Sequence, residues 1–208
     1  DANGELRDAL HYGELTAMGN HLQSQNVTQT CELAGNDATV SNQDLTLSGS
    51  HLTFFRMNNR FQAQGPGELT WSSNTGDNKE GNGQQPGLLN GNGTGKTNIS
   101  WNDEMTYDKS ENWAIFKGKV AATQGQTALH GGELELQFGP NNTQVEKGTV
   151  RNSAKLVKGR QETGEIVFTS NQMEWSPGKS TLRLTSSKGE KVHVRTPRQE
   201  LTTSEVTF

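Results

Sequence analysis

Gln172-Met173-Glu174-Trp175 alternates polar residues with large apolar ones, and near-copies of it recur along the chain. They are His51-Leu52-Thr53-Phe54, Glu68-Leu69-Thr70-Trp71, Glu104-Met105-Thr106-Tyr107, Glu133-Leu134-Glu135-Leu136 and Glu205-Val206-Thr207-Phe208. Two apolar residues two apart, with a polar residue between, have the period of a strand buried on one face and wet on the other. Three copies are followed at a nearly fixed distance by a glycine: Phe54 by Gly65, Tyr107 by Gly118 and Leu136 by Gly148. Polar turns such as Met57-Asn58-Asn59-Arg60 and Asp108-Lys109-Ser110-Glu111 lie between. The unit is strand, turn, returning strand. A repeated unit that cannot bury its apolar face alone implies a stacked, elongated architecture.

Composition agrees. Only 29% of the 208 residues are hydrophobic, and the mean hydropathy is -0.83. An ordinary compact domain carries roughly 45–50% apolar residues. The formal net charge of -4 is too small, and the alternation too regular, for a disordered chain. What fits is an all-β fold with a thin apolar face, one residue deep. No stretch shows apolar positions at helical spacing, and no run is apolar for long enough to span a bilayer as a helix. The chain begins at Asp1 without a charged-then-apolar leader, so a signal peptide is expected to be removed or left out. Residues 1–208 read as a single domain. Residues 72–98, rich in Gly and Asn, read as a long mobile insertion between rungs.

The chemistry-bearing motifs are weak. Gly91-Asn92-Gly93-Thr94-Gly95-Lys96-Thr97 has Asn90 where a phosphate-binding loop needs its first glycine, and no helix pattern follows. His11, His21, His51, His130 and His193 have no partner at metal-ligand spacing, and Cys31 is the sole cysteine. No Gly-x-Ser-x-Gly elbow occurs, and the acids lie at outward or leading strand positions. Catalytic residues, metals and cofactors are therefore expected to be none. Basic and acidic residues number 19 and 23, which leaves no nucleic-acid footprint. The segment Lys188 to Arg198, with Lys191, His193 and Arg195 alternating with valines, reads as a solvated strand face.

Function is expected on the apolar face. Leu52, Phe54, Leu69, Trp71, Met105, Tyr107, Met173 and Trp175 share one alternation, joined by Leu134 and Leu136. Returning strands add Ile115, Val120, Leu182 and Leu184. Ile115 and Val120 differ in parity, so both face inward only if a bulge near Gly118 resets the alternation. These residues form either a closed core or a greasy groove able to hold acyl chains.

The unit from Asn112-Trp113-Ala114-Ile115-Phe116-Lys117-Gly118 to Gly131-Gly132-Glu133-Leu134-Glu135-Leu136 resembles the repeat of the LptA/OstA-like family. These are lipopolysaccharide-transport proteins of the Gram-negative periplasm. Weaker copies lie at Leu45 to Gly65 and Gln172 to Val194. The resemblance implies a β-jelly-roll-like, V-shaped solenoid of antiparallel strands whose interior binds lipid acyl chains. It also implies a periplasmic or envelope location, and joining to other family members or to itself through edge strands. The alternative is a structural or adhesive β-solenoid that binds a protein or glycan through its outer face. Large, flexible inward residues such as Met105 and Met173 favour the lipid reading. The ending Glu205-Val206-Thr207-Phe208 lacks the turn that follows the other copies, which is expected of a fragment or of a docking edge.

Overall fold

The computed structural model describes residues 8–12, 15–25, 27, 29–43, 45–72, 96–139, 145–159, 164–187 and 189–208. Its strands are β1 Asp8–Tyr12, β2 Leu15–Gly19, β3 His21–Gln25, β4 Thr30–Ser41, β5 Leu45–Phe55, β6 Arg60–Ser72, β7 Lys96–Trp101 and β8 Glu104–Asp108. They continue with β9 Trp113–Gln124, β10 Thr127–Phe138, β11 Val145–Lys158, β12 Ile166–Ser176, β13 Thr181–Thr185, β14 Val192–Arg195, β15 Glu200–Thr203 and β16 Glu205–Thr207. Single turns of 3-10 helix at Arg56–Asn58 and Pro177–Lys179 close two of the hairpins. All pairings are antiparallel, and they join the strands into one 16-stranded sheet.

That sheet is folded over on itself. The long strands β4, β5, β6, β9, β10, β11 and β12 each bend near the middle and contribute to two walls. The first wall carries a row in register: Leu22, Leu33, Leu52, Ala63, Met105, Phe116, Leu134, Val150, Met173, Leu184 and Val206. The second carries Ala17, Val40, Leu47, Leu69, Ile99, Ala122, Leu129, Leu156, Phe168, Val194 and Leu201. Residues of both rows belong to one hydrophobic cluster, so the walls face each other across a shared interior. Trp101 from the second wall meets Phe116 from the first, ring centroids 5.4 Å apart. The result is a V-shaped stack of rungs, each one residue deep in apolar side chains. It explains how a chain this polar can still be folded.

The line of bends forms the closed margin of the V. There the ladders lose register, between Ala34 and Ala38, Gly49 and His51, Gly131 and Glu133, and Arg151 and Ala154. The chain accommodates the bends with left-handed backbone at Gly65 (φ 78°), Gly118 (φ 81°), Lys119 (φ 48°), Asn152 (φ 63°) and Ser153 (φ 68°). The Asp103 carboxylate lies against Gly118, where any side chain would collide with it. Between β7 and β8 the bend is held from both sides: Gly65 N–H donates to Asp103 O at 2.6 Å, and Asp103 N–H to Lys117 O at 3.0 Å. The repeat spacing of glycines is thus met twice at the bends, by Gly65 and Gly118. The third, Gly148, lies in the first wall opposite Trp175 and serves another purpose.

The insertion begins later and ends earlier than its composition suggests. Ser72 closes β6 and Lys96 opens β7, and these two residues are paired, so residues 96–98 belong to the sheet. Residues 73–95, including Gly91–Gly95 of the phosphate-loop lookalike, lie outside the described residues.

Candidate functional site

Alternation places most of the expected residues inside. Leu52, Met105, Leu134, Leu136, Met173 and Leu184 are almost wholly buried, and Trp175 is 8% exposed. Leu69, Tyr107 and Leu182 are half-buried and pack against the same cluster. Trp71 is half-buried in register with Leu45 and Thr97, at the open margin of the second wall. Phe54 shares the face of Leu52 but stands 37% exposed near the 3-10 turn, so it lines the mouth and not the interior.

Ile115 points the other way. It is in register with Thr106 and Glu135 on the outer face, while its neighbour Phe116 is fully buried. The bulge near Gly118 exists, with Gly118 and Lys119 opposite the single Gly132, and the inward parity of Phe116 is kept at Val120. The reset occurs on the neighbouring strand β10, from Leu129 to Leu134.

Reading single strands missed the second wall. Ile99, Trp101, Leu129 and Leu156 are buried there, and Val150 and Phe116 complete the first. The alternation Thr97-Asn98-Ile99-Ser100-Trp101 carried the signal for the earliest of these. Trp101 is fixed in two ways: its indole N–H donates to Gly65 O at 3.1 Å, and its ring covers Gly67. Trp175 has the equivalent seat on Gly148, where an added methyl group would sit within the indole. The two glycines give large rings room to lie flat against a wall.

Between the walls, over β10 to β13, lies an open-sided cavity of about 220 Å³. Leu129 and Leu156 line it from the second wall, and Met173, Trp175 and Leu182 from the first. Its rim is polar: Lys158, Ser176, Ser180 and Thr181, beside Pro177. Of the expected groove residues, Met173, Trp175 and Leu182 border this cavity. In the N-terminal rungs Leu33, Ala38, Leu47, Leu52 and Ala63 are likewise buried, all at most 4% exposed.

Electrostatics divides the two faces of the first wall. Outside runs a ladder of ion pairs: Lys117 to Glu104 at 2.6 Å, Arg151 to Glu133 and to Glu135 at 2.8 Å each, and Arg183 to Glu205 at 2.7 Å. The hydrogen bond that Lys117 donates to Glu104 raises the Lys117 pKa above its ordinary 10.5. The bond to Glu135, the largest influence, raises that of Arg151. Pairs this exposed contribute little each, about 0–1 kcal/mol. Inside, burial raises the Tyr107 phenol above its ordinary 10.0, with a smaller contribution from the Asp108 charge. Its ring stacks edge-on against Phe138, centroids 6.2 Å apart. Among the described residues no cluster of His, Cys, Asp or Glu could hold a metal ion. No helix among the described residues is long and apolar enough to cross a membrane.

A single antiparallel sheet folded into facing walls, apolar within and charged without, defines a β-jelly-roll. Residues 102–207, just over half of the chain, match the family described as "LptA/(LptD N-terminal domain) LPS transport protein", and the chain belongs to that family. It is a family of transport proteins, not of enzymes. Among solved structures, the chain is similar to the crystal structure of LptH, the LptA homologous periplasmic component of the conserved lipopolysaccharide transport device from Pseudomonas aeruginosa. The identity is 11%, over 59% of this chain and 75% of that one, with a TM-score of 0.46. No curated protein matches the sequence.

Proposed function

We propose that this protein takes part in lipopolysaccharide transport in the periplasm, holding acyl chains between its two walls without covalent chemistry. The observation that carries the reading is the cavity between Leu129 and Leu156 on one side and Met173, Trp175 and Leu182 on the other. Apolar walls with a few polar groups at the rim are the usual make-up of a small-molecule site. Family membership supplies the class of cargo. Leu52, Leu69, Trp71, Met105, Tyr107, Leu134, Leu136 and Leu184 continue the apolar lining along the stack, with Phe54 at its mouth. On the outer face of the first wall Lys117, Arg151 and Arg183 are taken up in ion pairs, which favours the interior over the outer face as the working surface.

The partners on this reading are lipid and further proteins of the same fold, which add their strands to the outermost rungs. Among the described residues β16 pairs only with β13, and β15 only with β14, so the other edge of each is open to a further strand.

The test is displacement of a fluorescent acyl probe by lipopolysaccharide. The wild type binds the probe and releases it to lipopolysaccharide. Met173→Asp, which would bury a bare carboxylate, abolishes probe binding in protein that keeps its β circular dichroism. Failure of the wild type to bind the probe, or of lipopolysaccharide to displace it, rejects the proposal.

A further inference from the structure

The cavity is bounded along the stack as well as across it. On the second wall its apolar lining ends at Leu156, which is paired on the next strand with Phe168. On the first wall the lining ends at Leu182, and the residue opposite Leu182 is Phe208, immediately after β16. Leu182 N–H donates to Phe208 O at 3.1 Å, and Phe208 N–H to Leu182 O at 2.9 Å. Each ring thus stands one strand beyond the lining of its own wall. There the two meet across the interior, with centroids 5.6 Å apart and planes at 81°. Edge-to-face contact of this kind is a preferred geometry for aromatic pairs. Trp101 and Phe116 also bridge the walls, but both are at most 1% exposed. In the outer pair only one ring is buried: Phe168 is 8% exposed and Phe208 55%.

We infer that the Phe168–Phe208 pair is the end stop of the cavity, and that Phe208 sets the longest acyl chain the cavity takes. This rests on the proposed acyl site and adds to it a chain-length limit and the side chain that imposes it. A linear chain lying along the stack over Leu156 and Leu182 runs into the two rings, because together they span the gap between the walls. The rings contribute unequally. Phe168 is built into β12 between Leu156 and Val194 and belongs to the core. Phe208 lies at the margin, and the bonds that hold its backbone to Leu182 use main-chain atoms only. Truncating its side chain therefore removes the obstruction and leaves the ladder in place. A longer chain can then bury more of its length, and each added methylene is worth about fourfold in affinity.

The experiment measures a series of saturated fatty acids of increasing length in competition against a fluorescent acyl probe, on the whole chain. In the wild type, affinity is expected to rise by about fourfold per methylene up to a limiting length and then to level off. Phe208→Ala is expected to move that limit to longer chains. The affinity ratio between the first chains beyond the wild-type limit and those within it should then rise by about tenfold or more, the scale of two buried methylenes. Phe208→Leu should give a smaller shift in the same direction, and it carries the test if the alanine variant loses its β circular dichroism. Phe208→Trp should keep the limit or shorten it. An unchanged limit in a folded Phe208→Ala or Phe208→Leu variant overturns the inference. Equal weakening of every chain length by either variant makes Phe208 a brace of the fold and overturns it too. A wild type whose affinity rises through the whole series has no end stop, which leaves the acyl cavity standing. Failure of every chain to displace the probe rejects the acyl site and this inference together.

Discussion

Replacement of Gly148 by alanine tests the seat of Trp175 without touching the backbone. Gly148 is not among the residues with left-handed backbone, so alanine brings no conformational strain. In an ordinary strand the change would stabilise, since glycine costs about 0.5–1 kcal/mol relative to alanine. Here the three atoms nearest the new methyl all belong to the Trp175 indole. That ring is 8% exposed and pinned between the Gly148 backbone and the cavity. Overpacking of a filled core costs about 1–3 kcal/mol. Spread over a chain of this length, the melting temperature falls by about 2–12 °C. Urea unfolding followed by circular dichroism reads the loss directly. Removing the ring should remove the penalty: in a Trp175→Ala background, Gly148→Ala should be neutral or slightly stabilising. The coupling between the two positions is then about 2 kcal/mol, well above the additivity error of distant sites. If Gly148→Ala costs the same with and without the indole, the seat does not exist and the explanation of this glycine fails.

Three further outcomes follow from the geometry. Phe116→Ala should destabilise by about 3–5 kcal/mol in chemical denaturation, and Ile115→Thr by less than about 1 kcal/mol, because only the first empties the interior; the reverse order would restore Ile115 to the inside. In a Tyr12→Phe background the phenolate absorbance of Tyr107, then the sole tyrosine, should titrate above 10.0. Its folded-state pKa is raised, so the favourable difference is intact below the unfolded value and is lost as pH rises through the folded one; alkaline unfolding should accelerate in that window. Thr207→Pro removes a backbone donor from the free edge of the last rung and should reduce concentration-dependent association in light scattering while leaving acyl-probe binding intact.

Much of this fold was legible because the period of two survives in every rung. Met173-Glu174-Trp175 can bury its large residues in one register only, and the same holds for Met105 and Leu52. All-β character, the stacking of rungs and the family resemblance followed from that repetition. Facing walls did not follow, because a bend changes parity on some strands and not on others. Leu129 and Leu134 on β10 differ in parity and both face inward, whereas Phe116 and Val120 on β9 agree. The difference lies in how many residues each bulge absorbs, and non-glycine residues such as Asn152 and Ser153 take the left-handed positions without announcing it. Ile115 was misplaced for this reason. The cation on the lip was also illegible: Lys158 lines the cavity only through its register with Thr127 and Ile166, which pairs residues far apart in the chain. The charge ladder hid likewise, since Glu133 and Arg151 meet only once β10 and β11 are aligned.

Because seven long strands run without interruption through both walls, the walls are not two layers. Two packed sheets could slide or separate as bodies; these share their covalent chain at rung after rung. Any increase in the gap is therefore angular, like the opening of a bound book, with displacement smallest beside the bends and largest at the free margins. The backbone hydrogen bonds that join each rung to the next make neighbouring rungs turn together. Space gained by one rung is thus passed to those beside it.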